Sequence, residues 1–366
     1  MCFGIDMSAL VQGLSVPIVG APMAGGPSTV ELAVAVSAAG GLGVLAGANL
    51  ACDVLAERIE QARSALAGAP FGVNLFLPTA ESDPAPDLRA HLETLDRWAQ
   101  RFGVTRGEAL WDDDQWRAKV ELVLAHPVAV VTFHFGCPPP EVVDALHRVG
   151  SQVWTTVTSR AEAELASTAG LDALVVQGPE AGGHRGTFAN STAADGDDDP
   201  GLLALLRLVQ SVTDLPLVAA GGLVHGADVA AVLVAGARAA QLGSAFLLSP
   251  EAGTSTPHRV AAAADRPTAV TRAFSGRPAR GVRNELLNEL GDTAPAAYPH
   301  LNRAGQPVRA ASAAAGDEAA VALWAGQTHH LAHALPASEI IALVMAQARH
   351  ALARVPDSLH PSPAPQ

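Results

Sequence analysis

A histidine two glycines past an apolar run is the first residue in this 366-residue chain whose setting points to chemistry. The stretch reads Val176-Gln-Gly-Pro-Glu-Ala-Gly-Gly-His-Arg-Gly186. Gly182 and Gly183 let the backbone approach a ligand closely, and His184 projects over whatever lies there. An imidazole is suited to taking a carbon-bound proton near neutral pH or, once protonated, to binding an anion. Gln177 closes the run before it. Asn74 interrupts Phe71–Phe76 with an amide that both donates and accepts, as a planar heterocycle with ring nitrogens and carbonyls requires. A bond from Asn74 to a neighbouring loop would explain it equally well. Upstream, Gly20-Ala-Pro-Met-Ala-Gly-Gly-Pro27 is a small-residue loop whose Ala21, Pro22 and Met23 admit a flat ligand to the backbone.

A second signal is paired. Gly221-Gly222 follow one apolar run and Gly243-Ser244 the next, with a helical pattern (Ala227–Ala235) between them. Glycines there expose bare N–H groups to phosphate oxygens, and Ser244 adds a hydroxyl. His134 and His225 lie near run ends, where a pocket-lining role and a packing or capping role are both open. His329, His330 and His333 contain an i, i+4 pair, but without an acidic third ligand they read as a solvated face and not a metal site. Asp197-Asp198-Asp199 reads as a loop tip, and Cys137 has no partner that would make it a nucleophile. Trp111 and Trp116 read as anchors.

These residues need a scaffold that brings them together. Eight apolar runs recur: Val16–Ala21, Gly41–Ala46, Phe71–Phe76, Val128–Phe133, Gln152–Val157, Ala173–Gln177, Leu215–Ala220 and Ala239–Gly243, with helical patterns between them. Continuous apolarity suits strands buried on both faces of a parallel sheet, and eight such units make a (β/α)8 TIM barrel, an α/β fold whose strand ends and following loops form the active face. The expected barrel spans 1–248, with a helical insertion at 77–126. Residues 249–325, where the strand pattern stops, read as a smaller, mainly helical domain capping the site. Residues 326–355 read as C-terminal helices packing back on the barrel, and 356–366 as a flexible tail. The formal charge of −13 and the absence of Lys/Arg clusters argue against nucleic acid. No run suits a membrane span, three cysteines are too few for a disulfide framework, and the N-terminus lacks a signal's basic region, so a soluble cytoplasmic protein is expected.

Ala21-Pro-Met-Ala-Gly-Gly26, Phe71-Gly-Val-Asn-Leu-Phe76, the Val176–Gly186 stretch, Ala219-Ala-Gly-Gly222, Gln241-Leu-Gly-Ser244 and Leu323-Trp-Ala-Gly-Gln327 occur in this order. Together they resemble the nitronate monooxygenase (2-nitropropane dioxygenase) family, class I in particular. The resemblance implies an FMN-binding barrel with a smaller domain. Ala21–Met23, Asn74, Gln177, Gly182, Gly183, Gly221, Gly222, Gln241, Leu242, Gly243 and Ser244 would bind FMN, with the phosphate at the last of these. It implies His184 as the active-site histidine and Tyr298 as a second-domain residue facing the flavin pocket; His134 is placed on the substrate side by its position near a run end. The activity implied is oxidation of an alkyl nitronate such as propionate 3-nitronate by O2, in a detoxifying role, with homodimerisation left open. An FMN-dependent NAD(P)H:quinone or enoyl-thioester reductase on the same barrel is the alternative. The chain departs from the family at Ser244, where Thr is usual, and at Arg303-Ala-Gly-Gln306, which lacks a Leu-Thr-Lys-like pattern.

Overall fold

The computed structural model describes residues 10–81, 87–190, 199–291 and 293–354. Eight parallel strands close into a barrel: β1 (Ile18–Gly20), β2 (Leu42–Ala46), β3 (Phe71–Phe76), β4 (Val130–His134), β5 (Gln152–Val157), β6 (Ala173–Gln177), β8 (Leu217–Ala220) and β9 (Ala239–Leu242). Pairing of Ile18 with Ala240 and Gly20 with Leu242 shuts the ring. Every residue of β2, β3, β5 and β6 is buried, which is why these strands read as largely apolar runs without a polar alternation.

Helices follow the strands, and their starts are written in side chains. Thr29 accepts the Leu32 N–H at 3.0 Å to open Val30–Ala38, and Ser159 accepts the Glu162 N–H at 3.2 Å to open Arg160–Ser167. His225 caps Gly226–Val234, its Nδ1 accepting the Ala227 N–H at 3.1 Å, so its role is structural. The eighth barrel helix is Ala337–Ala353, which packs between Gly226–Val234 and Val30–Ala38. Gly226 permits this approach, since a Cβ there would lie 2.0 Å from the Val344 carbonyl oxygen. The smaller unit is therefore inserted between the eighth strand and the eighth helix.

The insertion after β3 forms the helices Arg89–Arg101 and Trp116–Ala125. Trp111 donates to the Thr79 carbonyl at 3.0 Å and Trp116 packs edge-on against Phe133, so both tryptophans anchor it. Lys119 is the chain's only lysine. It lies buried with Nζ 2.7 Å from Asp114, pinning the loop that reaches the barrel mouth.

The smaller unit holds Thr256–Ala263, Glu285–Leu290 and His300–Ala314, but it is not strandless. β10 (Thr268–Thr271) and β11 (Ala279–Val282) pair antiparallel, and β11 also pairs with β7 (Gly183–His184), which leaves the barrel just after β6. These four-residue strands mix polar and apolar residues on a partly exposed sheet, so a search for continuous apolar runs passes over them. Among the described residues no helix is long and apolar enough to cross a membrane. The expected tail at 356–366 and most of the acidic loop at 194–200 lie outside the described residues.

Candidate active site

A cavity of about 760 Å³ opens at the C-terminal end of the barrel, within the range of small-molecule and cofactor sites. Its wall includes Ala21, Pro22, Met23, Asn74, His134, Gln177, Gly182, Gly183, His184, Gly221, Gly222, Gln241, Gly243, Ser244 and Tyr298. Leu242 is the exception among the expected residues. Adjacent strand residues point to opposite faces, so Gln241 lines the cavity while Leu242 is buried in the layer between strands and helices. Its carbonyl does serve the site, accepting the Ala21 N–H at 2.8 Å.

Asn74 bonds to the neighbouring strand β4 rather than to a loop. Its Nδ2 donates to the Thr132 carbonyl at 3.2 Å and to Thr132 Oγ1 at 2.9 Å, fixing an amide that still faces the cavity. Gln177 is committed to the neighbouring turn. Its Nε2 donates to the His184 carbonyl at 2.9 Å and its Oε1 accepts the Gly186 N–H at 2.9 Å. The strand that carries His184 is thus held from the barrel by Gln177 and from the smaller unit by β11.

The His184 ring sits among four others, with Phe76, Phe135, Tyr298 and Trp324 centroids at 5.9, 5.9, 6.1 and 5.7 Å. Its Nε2 is 2.9 Å from Ser275 Oγ. This low-dielectric setting, with the Arg277 cation nearby, pushes the imidazole down to about 3. His134, bonded through Nδ1 to Thr156 Oγ1 at 3.0 Å, is pushed down to about 4 by burial and the same cation. Burial lifts the Tyr298 phenol well above its usual range, so it stays neutral.

Sequence reasoning missed two cations and one hydroxyl. Arg277 is 1 % exposed, with its guanidinium 3.7 Å above the Phe135 ring and Nη1 donating to the Thr187 carbonyl at 2.7 Å. Burial lowers it only to about 10, so it remains charged at neutral pH. Arg309 lines the cavity and donates to the Phe274 and Asn302 carbonyls at 2.7 and 2.9 Å. Ser275, Arg277 and their neighbours form Ser275-Gly-Arg-Pro278, which reads as a turn signal and gives no hint that it meets His184, 91 residues away. Past Tyr298, Arg303, Gln306 and Arg309 line the cavity where the Lys of the family pattern is missing, and Arg303 pairs with Asp112 of the insertion.

The loops after β8 and β9 are suited to an anionic group. Gly221 and Gly222 have φ of +130° and +66°, conformations that favour glycine. Among the described residues, nothing accepts from the N–H groups of Gly221, Gly222, Gly243 or Ser244. The Leu323–Gln327 segment closes over these loops. Gly326 N–H donates to Ser244 Oγ at 2.8 Å, Gln327 N–H to the Glu180 carbonyl at 3.0 Å and Thr328 Oγ1 to the Gly222 carbonyl at 2.7 Å. Unspent donors, glycines and a deep apolar wall fit a phosphate-bearing planar cofactor.

His329 is not the solvated residue expected of it. It is fully buried in a 3-10 turn with ring nitrogens 2.9 and 3.0 Å from the Ala262 and Arg266 carbonyls, where it ties the end of this segment to the smaller unit.

Three buried imidazoles predict acid sensitivity. His134, His184 and His258 are pushed to about 4, 3 and 4 from 6.5, mainly by burial. The unfolded chain therefore binds protons that the folded chain refuses as pH falls below 6.5, and stability drops from there toward 4. Thermal midpoints followed between about pH 8 and about pH 4 should fall through that window. A flat profile would show that these rings are solvated.

The chain matches the nitronate monooxygenase family model over residues 8–347. It is 39 % identical to a nitronate monooxygenase of Pseudomonas aeruginosa, covering 94 % of this chain and 99 % of that protein. It is 35 % identical to a probable nitronate monooxygenase of Bacillus subtilis, covering 86 % and 90 %. Among solved structures, a nitroalkane oxidase from Streptomyces ansochromogenes superposes with a TM-score of 0.91 at 43 % identity, covering 94 % of this chain and 99 % of that one. FabK from Thermotoga maritima superposes with a TM-score of 0.72 at 26 % identity, covering 94 % and 97 %.

Proposed function

Because the chain belongs to the nitronate monooxygenase family and is an oxidoreductase, we propose that it binds FMN in the barrel-mouth cavity and oxidises alkyl nitronates, such as propionate 3-nitronate, with O2 to a carbonyl compound and nitrite. The observation that carries this reading is a neutral histidine, caged by aromatic rings, facing the same cavity as a set of unspent backbone donors.

The flavin, when bound, supplies the electron transfer between nitronate and O2. The chain's own residues do the rest. Gly221, Gly222, Gly243 and Ser244 would offer N–H groups to its phosphate, and Ala21–Met23, Asn74, Gly182, Gly183 and Gln241, which line the cavity, would wall its ring. Gln177 keeps the His184 strand against that wall. A nitronate arrives already deprotonated at carbon, so what it needs is a donor for its negatively charged nitro oxygens. His184 supplies that donor from a neutral ring. Arg309 lines the cavity and Arg277 lies buried over the Phe135 ring, neither with a carboxylate against its guanidinium among the described residues, and His134 and Tyr298 border the substrate side.

The test is the visible spectrum of the purified protein, kept anaerobic, before and after propionate 3-nitronate. Flavin bands that bleach support the reading. Bands that ignore nitronate but bleach with NADH transfer the protein to the reductase alternative, and no flavin after reconstitution with FMN removes both.

Arg277→Met should raise the His184 titration point toward its ordinary range, because it deletes one of the two largest causes of the depression. It should also weaken nitronate binding, seen as a KM several-fold higher with a smaller change in kcat. Unchanged KM and an unmoved histidine titration would take Arg277 out of the electrostatics.

A further inference from the structure

Resting on the reading above, we propose that Ser275 is a positioning residue that locks His184 as the Nδ1–H tautomer, so that the histidine serves the site as a hydrogen-bond donor and not as a base. The protons around Ser275 Oγ decide the tautomer. Ser275 Oγ lies 2.9 Å from His184 Nε2, 3.2 Å from the Arg277 backbone nitrogen and 3.3 Å from the Arg277 carbonyl oxygen. The Arg277 N–H is fixed and donates into Oγ. The hydroxyl has a single proton, and two acceptors compete for it. At 3.3 Å the carbonyl is beyond the ordinary range for an O–H···O bond, whereas 2.9 Å suits O–H···N. The proton is assigned to the nearer partner, Nε2, which then carries the ring's lone pair. A neutral imidazole with a lone pair on Nε2 has its hydrogen on Nδ1.

The surroundings hold this arrangement. Ser275 is 1 % exposed, so water does not supply a rival donor to Nε2. Among the described residues no protein group engages His184 Nδ1, and His184 is part of the cavity wall. With Nε2 held by Ser275, Nδ1 is the ring nitrogen left to offer a hydrogen to the cavity that His184 lines. Burial and the Arg277 cation both oppose a second proton on the ring.

A selectivity follows. A donor at Nδ1 welcomes the anionic oxygens of a nitronate, but a ring whose only lone pair is occupied by Ser275 cannot remove the α-proton of a neutral nitroalkane. Deleting the hydroxyl frees Nε2, lets the hydrogen move there and leaves a lone pair on Nδ1. Ser275→Ala should therefore lose about tenfold in kcat/KM on preformed nitronate, the rate equivalent of one hydrogen bond. Activity on the neutral nitroalkane should hold or rise, shifting the ratio of the two by about tenfold or more. Ser275→Thr, which restores a hydroxyl, should restore the ratio.

The decisive measurement is nitrogen–proton correlation NMR of flavin-loaded, 15N-histidine-labelled protein, with the His184 signals assigned by their loss in His184→Asn. Wild type should show the Nδ1–H pattern and Ser275→Ala a shift toward Nε2–H. An Nε2–H pattern in wild type, or equal losses on both substrates in Ser275→Ala, would overturn the proposal. If Ser275→Ala does not fold, the wild-type spectrum decides alone. Should wild type fail to oxidise nitronate at all, the proposed activity falls, while the tautomer is still read directly.

Discussion

His184→Ala should lower kcat/KM for a preformed nitronate about a hundredfold while the flavin stays bound. Removing one donor from a site that stabilises developing or resident negative charge costs about 10²–10³ in rate elsewhere. His184 is the ring at the centre of the aromatic cage, and its truncation takes that donor from the cavity wall. Cofactor retention is expected because Gln177 holds the backbone carbonyl of residue 184 at 2.9 Å, a bond indifferent to the side chain. Steady-state kinetics paired with the flavin-to-protein absorbance ratio checks both halves. Activity within about threefold of wild type would remove His184 from substrate binding, and loss of flavin would make it a structural residue.

Gly182→Ala should give protein that holds FMN about a hundredfold more weakly. A Cβ at this position would lie 2.5 Å from the Ala325 carbonyl carbon and 2.6 Å from the Gly326 nitrogen. Both are backbone atoms that no rotamer change can move. The 324–327 segment must retreat, and with it go the Gly326 N–H bond to Ser244 Oγ and the Gln327 N–H bond to the Glu180 carbonyl. Overpacking costs about 1–3 kcal/mol, and a hundredfold in Kd is about 2.7 kcal/mol, so the whole expected effect lies within reach of one methyl group. Fluorescence titration of the apoprotein with FMN measures it. Wild-type affinity would mean that the segment does not bear on the phosphate loops.

The barrel was legible because its strands are buried on both faces. Phe71–Phe76, Gln152–Val157 and Ala173–Gln177 match their apolar runs residue for residue. The glycine loops were legible for a related reason: residues without side chains are conspicuous just past the strand ends, where they line the cavity. What escaped notice depends on long-range pairing. Ser275 and Arg277 matter because β11 aligns Ala279 with His184, and nothing local encodes that alignment. The strands of the smaller unit were missed since their pattern is mixed. The Leu242 side chain stands apart from the cavity because a motif names consecutive residues, whereas a strand sends their side chains to alternate faces. His329 looked like a surface residue because its partners, the carbonyls of Ala262 and Arg266, come from more than sixty positions upstream.

The ladder between β7 and β11 consists of two residue pairs, Ala279 with His184 and Arg280 with Gly183. In any strand a slip of one residue turns every side chain to the other face. Here such a slip would swing the imidazole out of the cavity and put a neighbour in its place, with the barrel itself untouched. Alignment of this short seam is therefore a checkpoint that assembly must pass: a chain can close its barrel, look folded by circular dichroism, and still be silent as an enzyme.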